Sequence, residues 1–179
     1  MACAEPPAAF PDTVAGVLPV TVTDIPGVER RVFRDGRVFL AGQPNRDALA
    51  RFRDLGVTAV VNVRTPEEMA NLDLVAFDLP AAVAELGMEY VVIPLNGRDY
   101  PYTPAAVERL AEVLRRHPDP VLLFCAGATR TSYLWSAYLV QHLGFDLETA
   151  MAHGRAAGIP PDPMEGLLGR PLRTTFDQP

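Results

Sequence analysis

Residues 121–143, VLLFCAGATRTSYLWSAYLVQHL, pass from four apolar residues to a run of small ones and then to a helical repeat. Val121 to Phe124 is a buried strand, and Thr131 to Leu143 carries apolar residues at helical spacing. Between them Cys125, Ala126, Gly127, Ala128, Thr129 and Arg130 form a strand-to-helix loop, the place where α/β sheets hold their ligands. Small residues let successive backbone N–H groups turn inward, and the following helix adds its positive end, so a tetrahedral anion can be cradled there. Cys125 stands at the floor of that cradle. A thiol beside a helix N-terminus and a guanidinium is set up as a nucleophile. Arg130 can grip two oxygens of the same anion with its planar fork, and Thr131 can offer a hydroxyl hydrogen bond to the sulfur or to the departing group.

Upstream of this segment, strands and helices alternate. Arg31 to Phe33 and Val38 to Ala41 flank an Asp35-Gly36 turn, which predicts a hairpin. Asn45 caps a helix bearing Leu49, Phe52 and Leu55, Gly56 ends it, and Val57 to Val63 is a buried strand. Thr65-Pro66-Glu67-Glu68 has the capping-box pattern of a short helix. Val75 to Leu86 reads as a helical stretch interrupted near Pro80, Tyr90 to Leu95 as a strand, and Asn96 to Tyr102 as a polar loop. Thr103 and Pro104 open a helix to about Arg116, and Asp146 to Ala157 is a last helix stopped by Gly158. This order predicts a three-layer α/β sandwich with a central, largely parallel sheet of four to five strands. Ten of the 18 prolines fall before residue 27 or after residue 159, so residues 1–29 and 159–179 read as extended Pro-rich arms around a domain at 30–158.

Composition narrows the chemistry. With 49% hydrophobic and 21% charged residues the chain of 179 can bury a core. A net charge of −6 without a basic block argues against nucleic acid. All 16 cations are arginine, which excludes lysine Schiff-base chemistry and the lysine-bearing nucleotide loop. Two cysteines, Cys3 and Cys125, build neither a disulfide framework nor a four-cysteine zinc site, and Cys3 offers no geometric reason to pair with Cys125. His117, His142 and His153 are scattered and read as surface or helix-end residues, so no metal and no cofactor is expected. No apolar run reaches membrane-span length. The expected setting is cytoplasmic, with a periplasmic or lipid-anchored alternative if Ala2-Cys3 is the remnant of a lipoprotein cleavage site. The expected state is a monomer or weak homo-oligomer.

The chain resembles bacterial cysteine-dependent phosphatase-like domains related to atypical dual-specificity phosphatases, which also precede β-lactamase-like hydrolases in fusion proteins. The resemblance spans about residues 32–158. It rests on Ala41-Gly42-Gln43-Pro44, on Val61-Asn62-Val63-Arg64 with Glu67 and Glu68, on Ile93-Pro94, and on Cys125 to Arg130 with Trp135. It implies a phosphatase-like fold, a Cys125 nucleophile and an Arg130 phosphate clamp. Two departures stand out: four residues rather than five separate Cys125 from Arg130, and Phe124 replaces the histidine that usually precedes the cysteine. Related phosphatases carry an acidic residue on an upstream loop, and Asp99 is the only carboxylate in Asn96 to Tyr102. Arg98, Tyr100 and Tyr102 can line the mouth of the site, with Asn62 and Arg64 as support at the second strand's end. Arg64 can equally pair with Glu67 or Glu68, and Trp135 reads as core. Three functions remain open: hydrolysis of a phosphomonoester on a protein or small molecule, sulfur transfer through a Cys125 persulfide as in rhodaneses, and non-catalytic binding of an anion or partner.

Overall fold

The computed structural model describes residues 13–14, 16–156 and 164–170. The strands are β1 (Val20–Val22), β2 (Val32–Asp35), β3 (Val38–Ala41), β4 (Ala59–Asn62), β5 (Glu89–Val92) and β6 (Val121–Phe124). They form one sheet in the order β1-β2-β3-β6-β4-β5, in which the β1–β2 and β2–β3 pairs are antiparallel and the β3–β6, β6–β4 and β4–β5 pairs parallel. Among the described residues the sheet therefore has six strands rather than the expected four to five. The extra strand, β1, comes from a segment expected to be an arm: its short VTV stretch pairs with the hairpin, and Ile25 beyond it is buried.

Helices α1 (Arg46–Asp54), α2 (Pro66–Ala70), α3 (Leu79–Glu85), α4 (Pro104–Arg116), α5 (Thr129–His142), α6 (Leu147–Ala156) and α7 (Met164–Leu168) complete the fold. Strand alternation divides the core into two layers. Val121 and Leu123 face the side packed by α4 to α7, whereas Leu122 and Phe124 face α1 and α3. Burying β4 and β6 on both faces is what a central parallel strand requires, and the apolar Ala59, Val60 and Val61 of β4 and the wholly apolar β6 supply it. Met164 and Leu167 of α7 are fully buried, so part of the chain beyond residue 159 also packs on the domain. Cys3, the stretch around Gly158 and the last nine residues lie outside the described residues.

Several helix starts follow the sequence signals closely. Asn45 accepts from the Ala48 N–H at 2.9 Å, and Thr65 and Glu68 form the reciprocal capping box. Pro80 does not interrupt a helix but helps begin one, with Asp78 as its cap, because proline is favoured in the first turn. The expected helix at 131–143 starts two residues earlier, so Thr129 and Arg130 lie in its first turn.

His153 lies in the last turn of α6, a helix-end position as expected, but it is not at the surface. It is fully buried, and its Nδ1 lies 2.7 Å from Asp35 Oδ2, which also accepts from Trp135 Nε1 at 2.8 Å. Asp35 ends β2, so one carboxylate ties the hairpin to α5 and α6. Trp135 is core, as its spacing predicts. Among the described residues no helix is long and apolar enough to cross a membrane.

Candidate active site

Because β6 lies between β3 and β4, the carboxyl ends of all three meet: Ala41 and Asn62 both pair in register with Phe124. The residues just beyond are therefore neighbours. Cys125 is buried at 2% exposure, and its N–H donates to the Ala41 carbonyl at 3.2 Å. Gly127 forms an antiparallel bridge to Gly42. A Cβ on Gly42 would stand 1.8 Å from the Glu29 carbonyl oxygen and 3.2 Å from that of Ala126, so only glycine lets the backbones approach.

Ala128 turns the loop. Its φ of 71° is left-handed, a conformation that L-residues reach at a cost, and three donors hold it there. The Ala128 carbonyl accepts from Thr131 Oγ1 at 2.7 Å, Ser132 Oγ at 2.8 Å and the Ser132 N–H at 3.1 Å. The Thr131 hydroxyl proton, expected to serve the sulfur, thus goes to the backbone of the turn. Thr131 is fully buried and fixes the loop's shape, while Ala126, Gly127 and Thr129 remain half-buried along it.

Arg130 is held from behind. Its Nη1 donates to Glu68 Oε2 at 2.8 Å and to the Leu95 carbonyl at 2.9 Å, and its Nη2 donates to Glu68 Oε1 at 2.7 Å. Those three bonds leave two of the five guanidinium N–H donors uncommitted. Glu68 is itself fixed, since Oε2 also accepts the Thr65 N–H of the capping box at 2.9 Å. The hydrogen bonds from Arg130 foremost, against the cost of partial burial, bring the Glu68 carboxyl from 4.5 down to about 2. In return Glu68 outweighs the desolvation of Arg130 and raises its pKa.

From sequence alone Glu68 belongs to a helix cap or beside Arg64, and nothing local pairs it with Arg130. The signal was topological: a helix that starts just past β4 must share the sheet edge with the loop that follows β6. Arg64 is buried at 3% exposure, bonds Gln43 Oε1 at 2.8 Å and approaches Glu68 Oε1 at 3.5 Å. Asn62 accepts the Arg64 N–H at 2.8 Å and donates to the Tyr90 hydroxyl at 3.0 Å. Through Glu68, Arg64 is joined to the residue that holds Arg130, and Asn62 holds the Arg64 backbone.

The Asn96 to Tyr102 loop begins beside Leu95, the residue that anchors Arg130. Asn96 Oδ1 accepts the N–H groups of Arg98 and Tyr100 at 2.9 and 3.0 Å, closing a tight turn. Tyr100 donates its hydroxyl to Glu67 Oε1 at 3.1 Å, tethering the loop to α2. Arg98 and Asp99 are exposed at its tip. Tyr102 packs edge-on against Tyr133 at 6.1 Å. Burial pushes the Tyr102 phenol up, the Arg130 charge opposes this, and Tyr133 and Cys125 add to it, the electrostatic mark of a ring beside the cradle.

The Glu68 shift has a pH signature. A carboxyl at about 2 in the folded protein against 4.5 outside it contributes stability that is full above pH 4.5 and lost as pH falls through about 2. Thermal unfolding of wild type and Glu68→Gln should therefore differ most near pH 6 and converge as pH falls toward 2. A gap that does not change with pH would mean that the carboxylate charge is not its source.

Residues 33–142 match the family described as the phosphatase-like domain of the beta-lactamase hydrolase-like protein. No curated protein matches the chain in sequence. Among solved structures, Tk-PTP in the active form is similar at 22% identity and a TM-score of 0.60, covering 81% of this chain and 98% of that one. P. aeruginosa TpbA in complex with pTyr is similar at 18% identity and a TM-score of 0.58, covering 83% and 90%. A DUF442 protein from Shewanella putrefaciens CN-32 is similar at 21% identity and a TM-score of 0.57, covering 73% and 89%. At these identities the likeness concerns the fold.

Proposed function

The chain belongs to the family of phosphatase-like domains of beta-lactamase hydrolase-like proteins, and from that premise we propose that it hydrolyses phosphomonoesters through a phosphocysteine intermediate on Cys125. The observation that carries this reading is the bidentate Arg130–Glu68 pair, which fixes a guanidinium at the start of α5 beside the cysteine loop with donors to spare. Sulfur of Cys125 attacks phosphorus and the ester P–O bond breaks. The leaving oxygen takes a proton from the Asp99 carboxylic acid. Water then attacks phosphorus, Asp99 takes up its proton, and the S–P bond breaks to return the thiolate and inorganic phosphate. Backbone N–H groups of Ala126 to Arg130 and the two uncommitted Arg130 donors bind the equatorial oxygens, whose charge is what the site must stabilise. The substrate is a phosphorylated protein or small molecule. Arg98 and Tyr102 meet the body of the substrate, while Tyr100 holds the acid loop in place through Glu67.

The role of Asp99 tests this reading, because sulfur transfer needs no proton donor there. Asp99→Ala should slow hydrolysis of alkyl phosphates by about 10²-fold or more and of aryl phosphates by less, since weakly basic leaving groups need little protonation. Phosphate release across leaving groups of graded pKa measures the trend, alongside thiocyanate formation from thiosulfate and cyanide. A loss that is equal for all leaving groups removes Asp99 from the acid role. Robust thiocyanate formation without phosphate release overturns the hydrolase reading.

A further inference from the structure

Arg30 has a backbone that few arginines adopt. Its φ is 68°, one of two left-handed non-glycine residues among those described, the other being Ala128 in the cysteine loop. Strain of this kind persists only where the surroundings impose it. Here they do. The Glu29 N–H donates to the Gln43 carbonyl at 2.8 Å, the Gly42 N–H donates to the Arg31 carbonyl at 3.3 Å, and the Glu29 carbonyl presses against Gly42. Residues 29 and 31 are thus both tied to 42–43, and the backbone between them turns Arg30 toward Gly127.

The Arg30 side chain lies across that glycine. A Cβ placed on Gly127 would stand 3.0 Å from Arg30 Cδ, 3.4 Å from Nε and 3.6 Å from Cζ. Gly127 is in the middle of the Cys125 to Arg130 loop, and it is bridged to Gly42. Arg30 is exposed and makes no hydrogen bond or ion pair among the described residues. The guanidinium therefore keeps all five of its donors, unlike that of Arg130, which faces Glu68. The chain as a whole carries −6, so an unpaired cation at the rim of an anion cradle runs against the general balance.

From this placement we infer that Arg30 binds a second anionic group of the substrate next to the phosphate held by the cradle, so that the preferred substrates are small phosphorylated compounds with two anionic groups close together. This deepens the phosphatase reading and rests on its assignment of the cradle as a phosphate site. Planar, bidentate recognition suits a phosphonate or carboxylate oxygen pair, and one charge-assisted contact of that kind corresponds to about a tenfold preference.

Calorimetric titration of the full chain with inorganic phosphate and with methylenediphosphonate tests the inference without requiring turnover. Wild type should bind the bisphosphonate about tenfold more tightly or better. In Arg30→Ala the ratio of bisphosphonate to phosphate affinity should fall about tenfold. Arg30→Asn should do the same while accepting the left-handed backbone, so a folding defect in the alanine variant leaves the test intact. Arg30→Lys should recover only part of the ratio. A wild-type ratio near one, or a ratio preserved in both the Ala and Asn variants, overturns the inference. Absence of phosphate release from an aryl phosphate, with the Arg30-dependent ratio present, would remove the hydrolase reading and leave the second anion site standing.

Discussion

Cys125→Ser is expected to cut hydrolysis of an aryl phosphate to less than about a thousandth of the wild-type rate, the scale on which removing a nucleophile that acts as part of a unit is felt. The alcohol is far less nucleophilic than the thiolate, and neither the loop nor Arg130 supplies a base to activate it. The fold should survive. Cys125 contributes to the core with 2% exposure, but its structural hydrogen bond to Ala41 is made by the backbone and is untouched by the change. Exchanging sulfur for oxygen at such a position costs about 1 kcal/mol, small against the 5–15 kcal/mol of a typical domain. Steady-state assays with near-UV circular dichroism on both proteins separate the two effects. A well-folded variant that retains more than about a tenth of the activity would remove Cys125 as the nucleophile.

How much of this site was legible in the sequence depends on the distance over which each signal acts. The strand, loop and helix around Cys125 could be read because they follow one another within 23 positions, and local periodicity reports them. The caps at Asn45 and Thr65 were legible for the same reason: donor and acceptor lie three residues apart. The Arg130–Glu68 pair spans 62 positions and exists only because β6 inserts between β3 and β4. No spacing rule encodes that insertion. His153 shows the same limit, since its partner Asp35 is 118 positions away and a histidine on a helix reads as exposed without it. Thr131 failed differently. The residue begins the expected helix and lies in the first turn of α5, but a threonine at the start of a helix satisfies a backbone carbonyl before it serves chemistry, and the Ala128 carbonyl of the left-handed turn takes that bond.

Arg130→Lys is expected to lower kcat/KM by about 10²- to 10³-fold and to weaken vanadate inhibition in parallel, the size of effect that follows loss of a transition-state oxyanion donor. Charge is conserved in this change, so the loss must come from shape. The guanidinium spans both Glu68 oxygens and the Leu95 carbonyl, which leaves two donors for the anion in the proposed reaction. An ammonium has three donors on one atom; drawn to Glu68, it has nothing directed at the anion. The side chains of Arg130 and Glu68 are 17% and 28% exposed, between the surface pairs worth about 0–1 kcal/mol and the buried pairs whose disruption costs about 3–5 kcal/mol. Glu68→Gln should therefore lower kcat/KM by a smaller factor, about tenfold, by loosening the guanidinium rather than removing it. The two changes act on one unit, so the double variant should be scarcely worse than Arg130→Lys alone. Fully additive losses would mean that Glu68 contributes by some route other than orienting Arg130, and unchanged vanadate inhibition in Arg130→Lys would remove the clamp itself.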